Sequence, residues 1–228
     1  MMTSNDSHAI VCSCSACCQQ AVAQYDAASS SVSNPDSRNV TGDIVIDSLV
    51  GTGFNRWNWG VPYGSPMEIT YSFRASDTGQ NYFDTIQDFR PFTQEQIAAT
   101  RQILDQYASQ TGLSFREVPA TEVAQIHFGM YSGRNGIPNG IPNDGEAILP
   151  GQFTGNGAGD VWINWQRADQ QDLAPVPGNE GYFLLAHEIG HALGLKHPGF
   201  NSGFDRGQLL PAGLDNTSNT VMSYNIAG

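Results

Sequence analysis

Residues 67–73 alternate between apolar and polar side chains, in the order Met-Glu-Ile-Thr-Tyr-Ser-Phe. Successive side chains of a β-strand point to opposite faces of the sheet, so this alternation predicts a strand with one buried face. Short apolar runs separated by Gly, Pro and Asn clusters predict four more strands, at 113–118, 125–130, 146–149 and 160–165. The pattern therefore predicts a sheet of about five strands. The Gly-, Pro- and Asn-rich stretch 132–144 is expected to be an irregular loop.

A first long helix is predicted to begin after Thr93, because Thr93 and Gln96 have the spacing of a capping box. Phe92 and Ile97 occupy the two positions of a hydrophobic staple, and Gly112 is the expected stop. The apolar stripe of this helix contains Ile97, Ile103, Leu104, Tyr107 and Ala108. We therefore expect the helix to pack on one face of the sheet.

A second helix is predicted over 180–193, with Asn179 as its N-cap and Gly194 as the glycine that ends it. Its apolar residues share one side of the helical wheel: Leu185, Ala186, Ile189 and Leu193. This side is expected to face the core, which leaves the opposite side of the helix for polar residues.

Residues 1–45 differ in composition from the remainder of the chain, since they are polar, small and rich in Ser and Asn. All four cysteines fall here, at Cys12, Cys14, Cys17 and Cys18. We interpret 1–45 as a pro-segment or tail with a Ser-rich linker, and 46–228 as one folded domain. That domain has no cysteine, so packing and any bound metal must supply its stability.

The charge balance excludes several classes of function. The chain has 22 acidic and 10 basic residues and a net charge of −12 at pH 7, which disfavours nucleic acid and anionic membrane surfaces as partners.

No apolar run approaches the roughly 18 to 20 residues that span a bilayer. The first 25 residues also lack the basic start and apolar run of a cleavable signal peptide.

The chemistry is concentrated on the second helix. His187 and His191 are four residues apart, so their side chains lie on one helical face about one turn apart and can reach the same ion. Gly194 lets the chain leave the helix sharply, so that His197 can return as a third ligand. Three imidazoles with one open position suit zinc, and Glu188 is placed to act as general base on a water there. The full pattern is expected by chance on the order of once in 10⁵ such sequences.

The stretch 187–199, His-Glu-Ile-Gly-His-Ala-Leu-Gly-Leu-Lys-His-Pro-Gly, resembles the metzincin zinc peptidases and, within them, the serralysins. The resemblance extends to Val221-Met222-Ser223-Tyr224, which is similar to the family's methionine turn and tyrosine. It implies an α+β fold of the metzincin zincin type: a twisted, mixed sheet of about five strands, a backing helix and an active-site helix. It also implies a zinc-dependent endopeptidase that cleaves protein or peptide substrates.

Further roles come from the resemblance alone. Met222 is expected beneath the three imidazoles, and Gly194 at the turn after the active-site helix. Tyr224 is expected to bind zinc in the resting state and to hydrogen-bond the oxyanion once substrate is bound. The strand containing Ala147, Ile148 and Leu149 is similar to the edge strand on which the family pairs extended substrates.

The chain also departs from the serralysin pattern. The calcium-binding Gly- and Asp-rich nonapeptide repeats of that family are missing from the sequence, which indicates a truncated or a reduced member. Calcium is a candidate ion for the Asn-, Asp- and Gly-rich loops. The four cysteines are a candidate latency device, in which one thiolate caps zinc as in the cysteine switch of matrix metalloproteinases. An independent metal-binding or oxidation-prone tail is an equal alternative.

Two other functions compete with the peptidase. One is a zinc-holding module or inactive fragment without turnover, closed by the N-terminal thiolates, and the other is a metal-transfer or regulatory cysteine arm carried by the folded body. Glu188 argues against the first, because a binding module has no need of a carboxylate there. The resemblance implies an extracellular monomer, and a cytoplasmic location stays an alternative.

Overall fold

The computed structural model describes residues 42–50, 56–58, 61, 64–76, 86–134, 144–150, 158–167, 170–199 and 207–226. The helices are α1 (Ile44–Leu49), α2 (Gln94–Gln110), α3 (Gln170–Leu173) and α4 (Glu180–Ala192). The strands are β1 (Met67–Phe73), β2 (Ile86–Gln87), β3 (Leu113–Glu117), β4 (Ile126–Tyr131), β5 (Gly133–Arg134), β6 (Gly145–Ala147) and β7 (Val161–Asn164). Within this part of the chain no helix has the length and apolar character needed to cross a bilayer.

Five of the strands form one mixed sheet in the order β3-β1-β4-β7-β6. The pairs β1 with β3, β1 with β4 and β4 with β7 are parallel, whereas β6 runs antiparallel to β7 and forms the outer edge. The predicted sheet is thereby confirmed. Residues 67–73 form β1 as predicted, and the other four strands lie within two residues of their predicted bounds.

The loop predicted over 132–144 contains one short element. Strand β5 pairs antiparallel with β2 in a separate two-stranded sheet, so the prediction of a wholly irregular loop was wrong at residues 133–134. Two residues carry too short a pattern to show a strand period, and the pairing partner lies more than 40 residues earlier in the chain. Residues 135–143 of the predicted loop lie outside the described residues.

Helix α2 backs the sheet and begins as predicted. The Gln96 amide donates to Thr93 Oγ1 over 3.1 Å, and the Thr93 amide donates to Gln96 Oε1 over 2.9 Å, which completes the capping box. The Thr93 hydroxyl also donates to the Leu173 carbonyl of α3 over 2.7 Å. The helix ends at Gln110, two residues before the predicted stop at Gly112, and Thr111 is its C-cap.

The main core lies between the sheet and the helices α2 and α4. It contains Ile69, Ile103, Leu104, Ile126, Phe128, Val161, Leu185 and Ile189, each buried to 2% exposure or less. The opposite face of the sheet carries a buried ionic group around Asp160. Arg74 Nη2 donates to Asp160 Oδ2 over 2.6 Å, and His127 Nδ1 lies 2.7 Å from Asp160 Oδ1. These residues come from β4 and from positions adjoining β1 and β7, so the group ties the three central strands together.

The N-terminal helix α1 reaches the region of the predicted metal site. Its last residue, Leu49, accepts a hydrogen bond from the Lys196 amide over 2.9 Å, and Val50 forms a β-bridge with Leu195. Helix α1 begins two residues before the predicted domain boundary at 45/46, which stays a prediction. The cysteine-containing segment lies outside the described residues.

Candidate active site

Helix α4 is delimited at both ends by local hydrogen bonds that the sequence predicts. Asn179 Oδ1 accepts from the Tyr182 amide over 2.9 Å, as expected of an N-cap. At the other end the Leu195 amide donates to the Gly190 carbonyl and the Gly194 amide to the His191 carbonyl, each over 2.9 Å. Gly194 has a φ of +106°, so this is a Schellman motif that requires glycine at the left-handed position. It turns the chain back towards the helix.

The turn brings the three predicted histidines together. The Nε2 atoms of His187, His191 and His197 are 3.0 to 3.2 Å apart in all three pairs. His187 Nδ1 lies 2.7 Å from the Val221 carbonyl, and His191 Nδ1 lies 2.8 Å from the Leu195 carbonyl. A carbonyl only accepts, so both Nδ1 atoms carry the proton and both Nε2 atoms present lone pairs.

Bare lone pairs this close repel each other unless a cation lies between them, so the donor set itself fits a metal ion. In a tetrahedral zinc site with bonds of about 2.0–2.1 Å, ligand nitrogens lie roughly 3.3 Å apart, close to the observed separations. The carbonyl contacts of His187 and His191 are the supporting interactions that orient metal-binding imidazoles. Within the described part of the chain this is also the one group of three metal-binding side chains whose ligand atoms converge.

Burial favours the neutral, metal-binding form of the helical histidines. Desolvation lowers the pKa of His187 to about 4. The hydrogen bond to the Val221 carbonyl opposes this shift, and the nearby His197 adds to it. Desolvation also holds the pKa of His191 well below its usual range, and both neighbouring imidazoles add to the effect. Both rings are therefore neutral at pH 7 and need not lose a proton before they bind zinc.

Glu188 follows the first histidine and is buried, at 5% exposure. Burial raises the pKa of Glu188 to about 8, with a further contribution from the negative charge of Glu146 on β6. Its side chain packs against Gly145 of β6, where an added Cβ would lie 3.0 Å from Glu188 Cγ and 3.2 Å from Oε1. A divalent cation at the histidines would lower this pKa, because it favours the charged carboxylate.

Met222 lies against the inner side of helix α4. It is fully buried, and an added Cβ on Gly190 would lie 2.6 Å from its sulfur. Gly190 stands between the two helical histidines in sequence, and the preceding residue of the turn, Val221, accepts the bond from His187. Met222 therefore packs against helix α4, which carries His187 and His191, and its predicted place beneath the three imidazoles stays a prediction.

Tyr224 lies beside the histidines and remains largely in solvent. Its ring centroid is 4.4 Å from that of His197 and 5.3 Å from that of His187, and the residue is 64% exposed. The tyrosine is thus at the mouth of the site. Its predicted roles as ligand and as oxyanion donor stay predictions.

The predicted substrate strand includes β6, one of the two edge strands of the five-stranded sheet in the described part of the chain. Ala147 is the last residue of β6, but main-chain pairing continues one residue further. The Ile148 amide donates to the Asp160 carbonyl over 3.0 Å, and the Gly159 amide donates to the Ile148 carbonyl over 2.8 Å. Ala147, Ile148 and Leu149 are all partly buried. Strand β6 packs against α4, the helix that carries His187 and His191.

Sequence reasoning missed several residues that shape the site. Gly145 and Gly190 leave room for Glu188 and Met222, and the Tyr107 hydroxyl donates to the Ala186 carbonyl of α4 over 3.3 Å. The Trp57 indole donates to the Ala192 carbonyl over 2.9 Å. These contacts join residues far apart in the chain, so no local pattern signals them.

Comparison with known proteins agrees with this geometry. A family model described as matrixin matches residues 68–203, more than half of the chain. Serralysin G of Dickeya chrysanthemi is 36% identical over 146 residues, which are 63% of this chain and 29% of that protein. Serralysin of Proteus mirabilis is 30% identical over 182 residues, which are 74% of this chain and 36% of that protein. Metalloprotease AprA of Pseudomonas entomophila is 28% identical over 161 residues, which are 69% of this chain and 32% of that protein.

The chain spans about a third of the length of these curated relatives. The family match covers the three converging histidines and Glu188. The five-stranded mixed sheet with its antiparallel edge and the helix carrying the first two histidines provide the matching architecture. The chain therefore belongs to the matrixin peptidase family and carries a serralysin-like metzincin domain.

Proposed function

We propose that this chain is a zinc-dependent endopeptidase that hydrolyses peptide bonds in protein substrates. The observation that carries the proposal is the convergence of three Nε2 atoms within 3.2 Å of one another, with a buried carboxylate on the same helix. The two tautomers fixed by backbone carbonyls support a metal site, and the buried Glu188 is the proposed proton acceptor. The similarity to proteins named serralysin and metalloprotease supports the same conclusion.

The residues divide the work as follows. His187, His191 and His197 would hold zinc. Zinc, when bound there, lowers the pKa of a water molecule towards about 7 and polarises the scissile carbonyl. Glu188 accepts a proton from the attacking water at its carboxylate and then donates that proton to the amide nitrogen as the C–N bond breaks. The carboxylate is thereby restored to its starting charge.

Tyr224 is proposed as a second catalytic group. Its ring lies over the rings of His187 and His197, and the residue is 64% exposed. In the resting site the phenol oxygen would approach the metal position, and with substrate bound the O–H would donate to the developing oxyanion. Such a donor is worth about 10²–10³ in kcat where it has been removed from other hydrolases.

Substrate is proposed to bind as an extra strand along the outer edge of β6, through Ala147, Ile148 and Leu149. Pairing of this kind reads main-chain groups, so the sequence preference is expected to be broad. The arrangement supports the proposal because, among the described strands, β6 lies at an edge of the sheet and packs on α4.

The N-terminal segment is proposed as a latency device. Cleavage within residues 1–45 would release the domain, and one of Cys12, Cys14, Cys17 or Cys18 would supply a thiolate that covers the site beforehand. We further propose that the protein is an extracellular monomer with no nucleic acid or membrane partner. Calcium is a candidate ion of its loops. The support is the resemblance and the net charge of −12.

The deciding experiment is casein digestion by zinc-loaded protein, both as the full chain and after removal of residues 1–41. Wild type is expected to digest casein, and a zinc chelator is expected to stop digestion reversibly. Glu188→Ala is expected to retain one zinc per chain while losing about 10²–10⁴ of the rate, because only the proton acceptor is missing. Zinc-loaded protein that digests nothing in either form would contradict the proposal and leave a zinc-holding module.

A further inference from the structure

Asp215 binds both neighbours of Tyr224. The Ser223 hydroxyl donates to Asp215 Oδ1 over 2.6 Å, and the Asn225 side-chain amide donates to Asp215 Oδ2 over 2.7 Å. The same amide donates to the Asp215 main-chain carbonyl over 2.9 Å. One carboxylate therefore holds the residue before and the residue after the exposed tyrosine.

Further bonds close this segment on itself. The Asn225 amide donates to Ser223 Oγ over 3.1 Å, and the Thr217 amide donates to the Asn225 carbonyl over 2.8 Å. Ser223 is buried at 1% exposure, whereas Tyr224 is 64% exposed. The main chain on both sides of Tyr224 is thus held by hydrogen bonds, while its ring lies against the rings of His187 and His197.

The carboxylate of Asp215 also reaches the loop of the third histidine. A Cβ added to Gly199, two residues after His197, would overlap Asp215 Oδ2 and approach its Cγ to 2.7 Å. Asp215 therefore lies directly against the backbone that follows His197. It connects the chain around Tyr224 with the chain around a metal ligand.

We propose that Asp215 is a positioning residue that sets the location of Tyr224 relative to the three histidines. This inference rests on the proposed function of the same site. A tyrosine that alternates between the metal position and an oxyanion needs a fixed main chain and a mobile ring, and the Asp215 bonds provide the fixed main chain. A misplacement of about 1 Å is enough to cost up to 10²-fold in rate.

The test uses the zinc-loaded protein with Asp215→Asn, Tyr224→Phe and the double variant. Asn keeps the shape of Asp215, but one of the two acceptor oxygens becomes an NH₂ donor, so the two oxygens that accept from Ser223 and Asn225 are no longer both present. We expect Asp215→Asn to lower kcat roughly tenfold with KM changed less than twofold. The double variant should be no slower than Tyr224→Phe, because Asp215 acts only through the tyrosine.

A second readout does not depend on turnover. Copper(II) in place of zinc is expected to give a visible phenolate-to-copper absorption band, which Tyr224→Phe should remove. Asp215→Asn should weaken or shift that band while copper affinity changes less than threefold. Asn225→Ala changes an exposed residue and should weaken the band in the same way if Asp215→Asn fails to fold.

The control Asp105→Asn makes the same chemical change on the exposed face of α2 and should leave kcat and the band unaltered. If the effects of Asp215→Asn and Tyr224→Phe on kcat multiply, or if the copper band is unchanged in both Asp215→Asn and Asn225→Ala, the positioning role is overturned while the peptidase proposal stands. A wild-type protein that shows the band but digests no casein would instead contradict the proposed function.

Discussion

Two glycines decide how closely single side chains of the site approach one another. Gly145 of β6 faces Glu188, and Gly190 of α4 faces Met222. Neither position has a positive φ, so the requirement for glycine is one of space and not of backbone conformation. Substitution by alanine therefore tests the packing directly.

Gly145→Ala is expected to impair catalysis more than zinc binding. The new Cβ would lie 3.0 Å from Glu188 Cγ and 3.2 Å from Ile163 Cδ1, so Glu188 must shift by several tenths of an ångström. We expect a loss of roughly tenfold or more in kcat with zinc affinity nearly unchanged, measured by casein digestion and by competition with a zinc chelator. Equal kcat values for Gly145→Ala and wild type would show that Glu188 tolerates the displacement.

Gly190→Ala is expected to destabilise the fold although alanine is the better helix former. The Cβ would lie 2.6 Å from the sulfur of Met222 and 3.2 Å from the Tyr107 hydroxyl. Overpacking of a core costs about 1–3 kcal/mol, and the helix propensity of alanine returns about 1 kcal/mol. We expect a net loss of about 1 kcal/mol in the free energy of unfolding, measured by urea denaturation.

Gly213→Ala is the matched control for Gly190→Ala, because an added Cβ at Gly213 meets no atom within 4 Å. It should leave the free energy of unfolding within about 0.5 kcal/mol of wild type. A Gly190→Ala protein that is more stable than wild type would mean that Met222 moves aside without cost.

At the scale of elements, the cap of α2 has two functions. The capping box fixes the N-terminus of the helix, and the Thr93 hydroxyl donates to the Leu173 carbonyl of α3. Helix α3 in turn contacts the active-site helix α4. One threonine therefore joins the backing helix to the elements around the site.

Thr93→Ala is expected to lower the free energy of unfolding by about 1–2 kcal/mol, because it removes the N-cap acceptor and the bond to α3 together. Thr93→Ser should retain most of the stability, since its hydroxyl can make both bonds. Both values are to be measured by urea denaturation of zinc-loaded protein. Equal losses for the serine and alanine variants would show that the methyl group, and not the hydroxyl, carries the effect.

For the whole molecule, bound zinc is expected to stabilise the folded state as well as to take part in catalysis. His187 and His191 come from α4, and His197 comes from the loop after it. Helix α1 binds that loop through Leu49, and Val221 binds His187 of α4. A ligand that binds only the folded state stabilises it by about 2.7 kcal/mol at a free concentration of 100 times its Kd. For a domain of this size that corresponds to roughly 5–10 °C in Tm.

Removal of zinc with 1,10-phenanthroline should therefore lower Tm by about that amount, measured by circular dichroism with zinc restored as the reversal. The His191→Ala variant should start at the lower Tm and show little further change with the chelator. An equal chelator-dependent shift in wild type and His191→Ala would place the stabilising ion elsewhere, and calcium titration would then identify it.

The sequence by itself determined what depends on local geometry. The capping box of α2, the strand at 67–73 and the glycine at position 194 each depend on a few residues and agree with the structure, although Ser72 on the polar side of β1 is buried. The four-residue spacing of His187 and His191 likewise puts both on helix α4. The resemblance supplied the mixed sheet and the methionine turn. Tertiary structure alone decided the contacts between distant segments: Gly145 with Glu188, Gly190 with Met222, and Asp215 with both sides of Tyr224. A periodic pattern records which face of an element is buried, but the partner of that face is chosen only when the elements pack together.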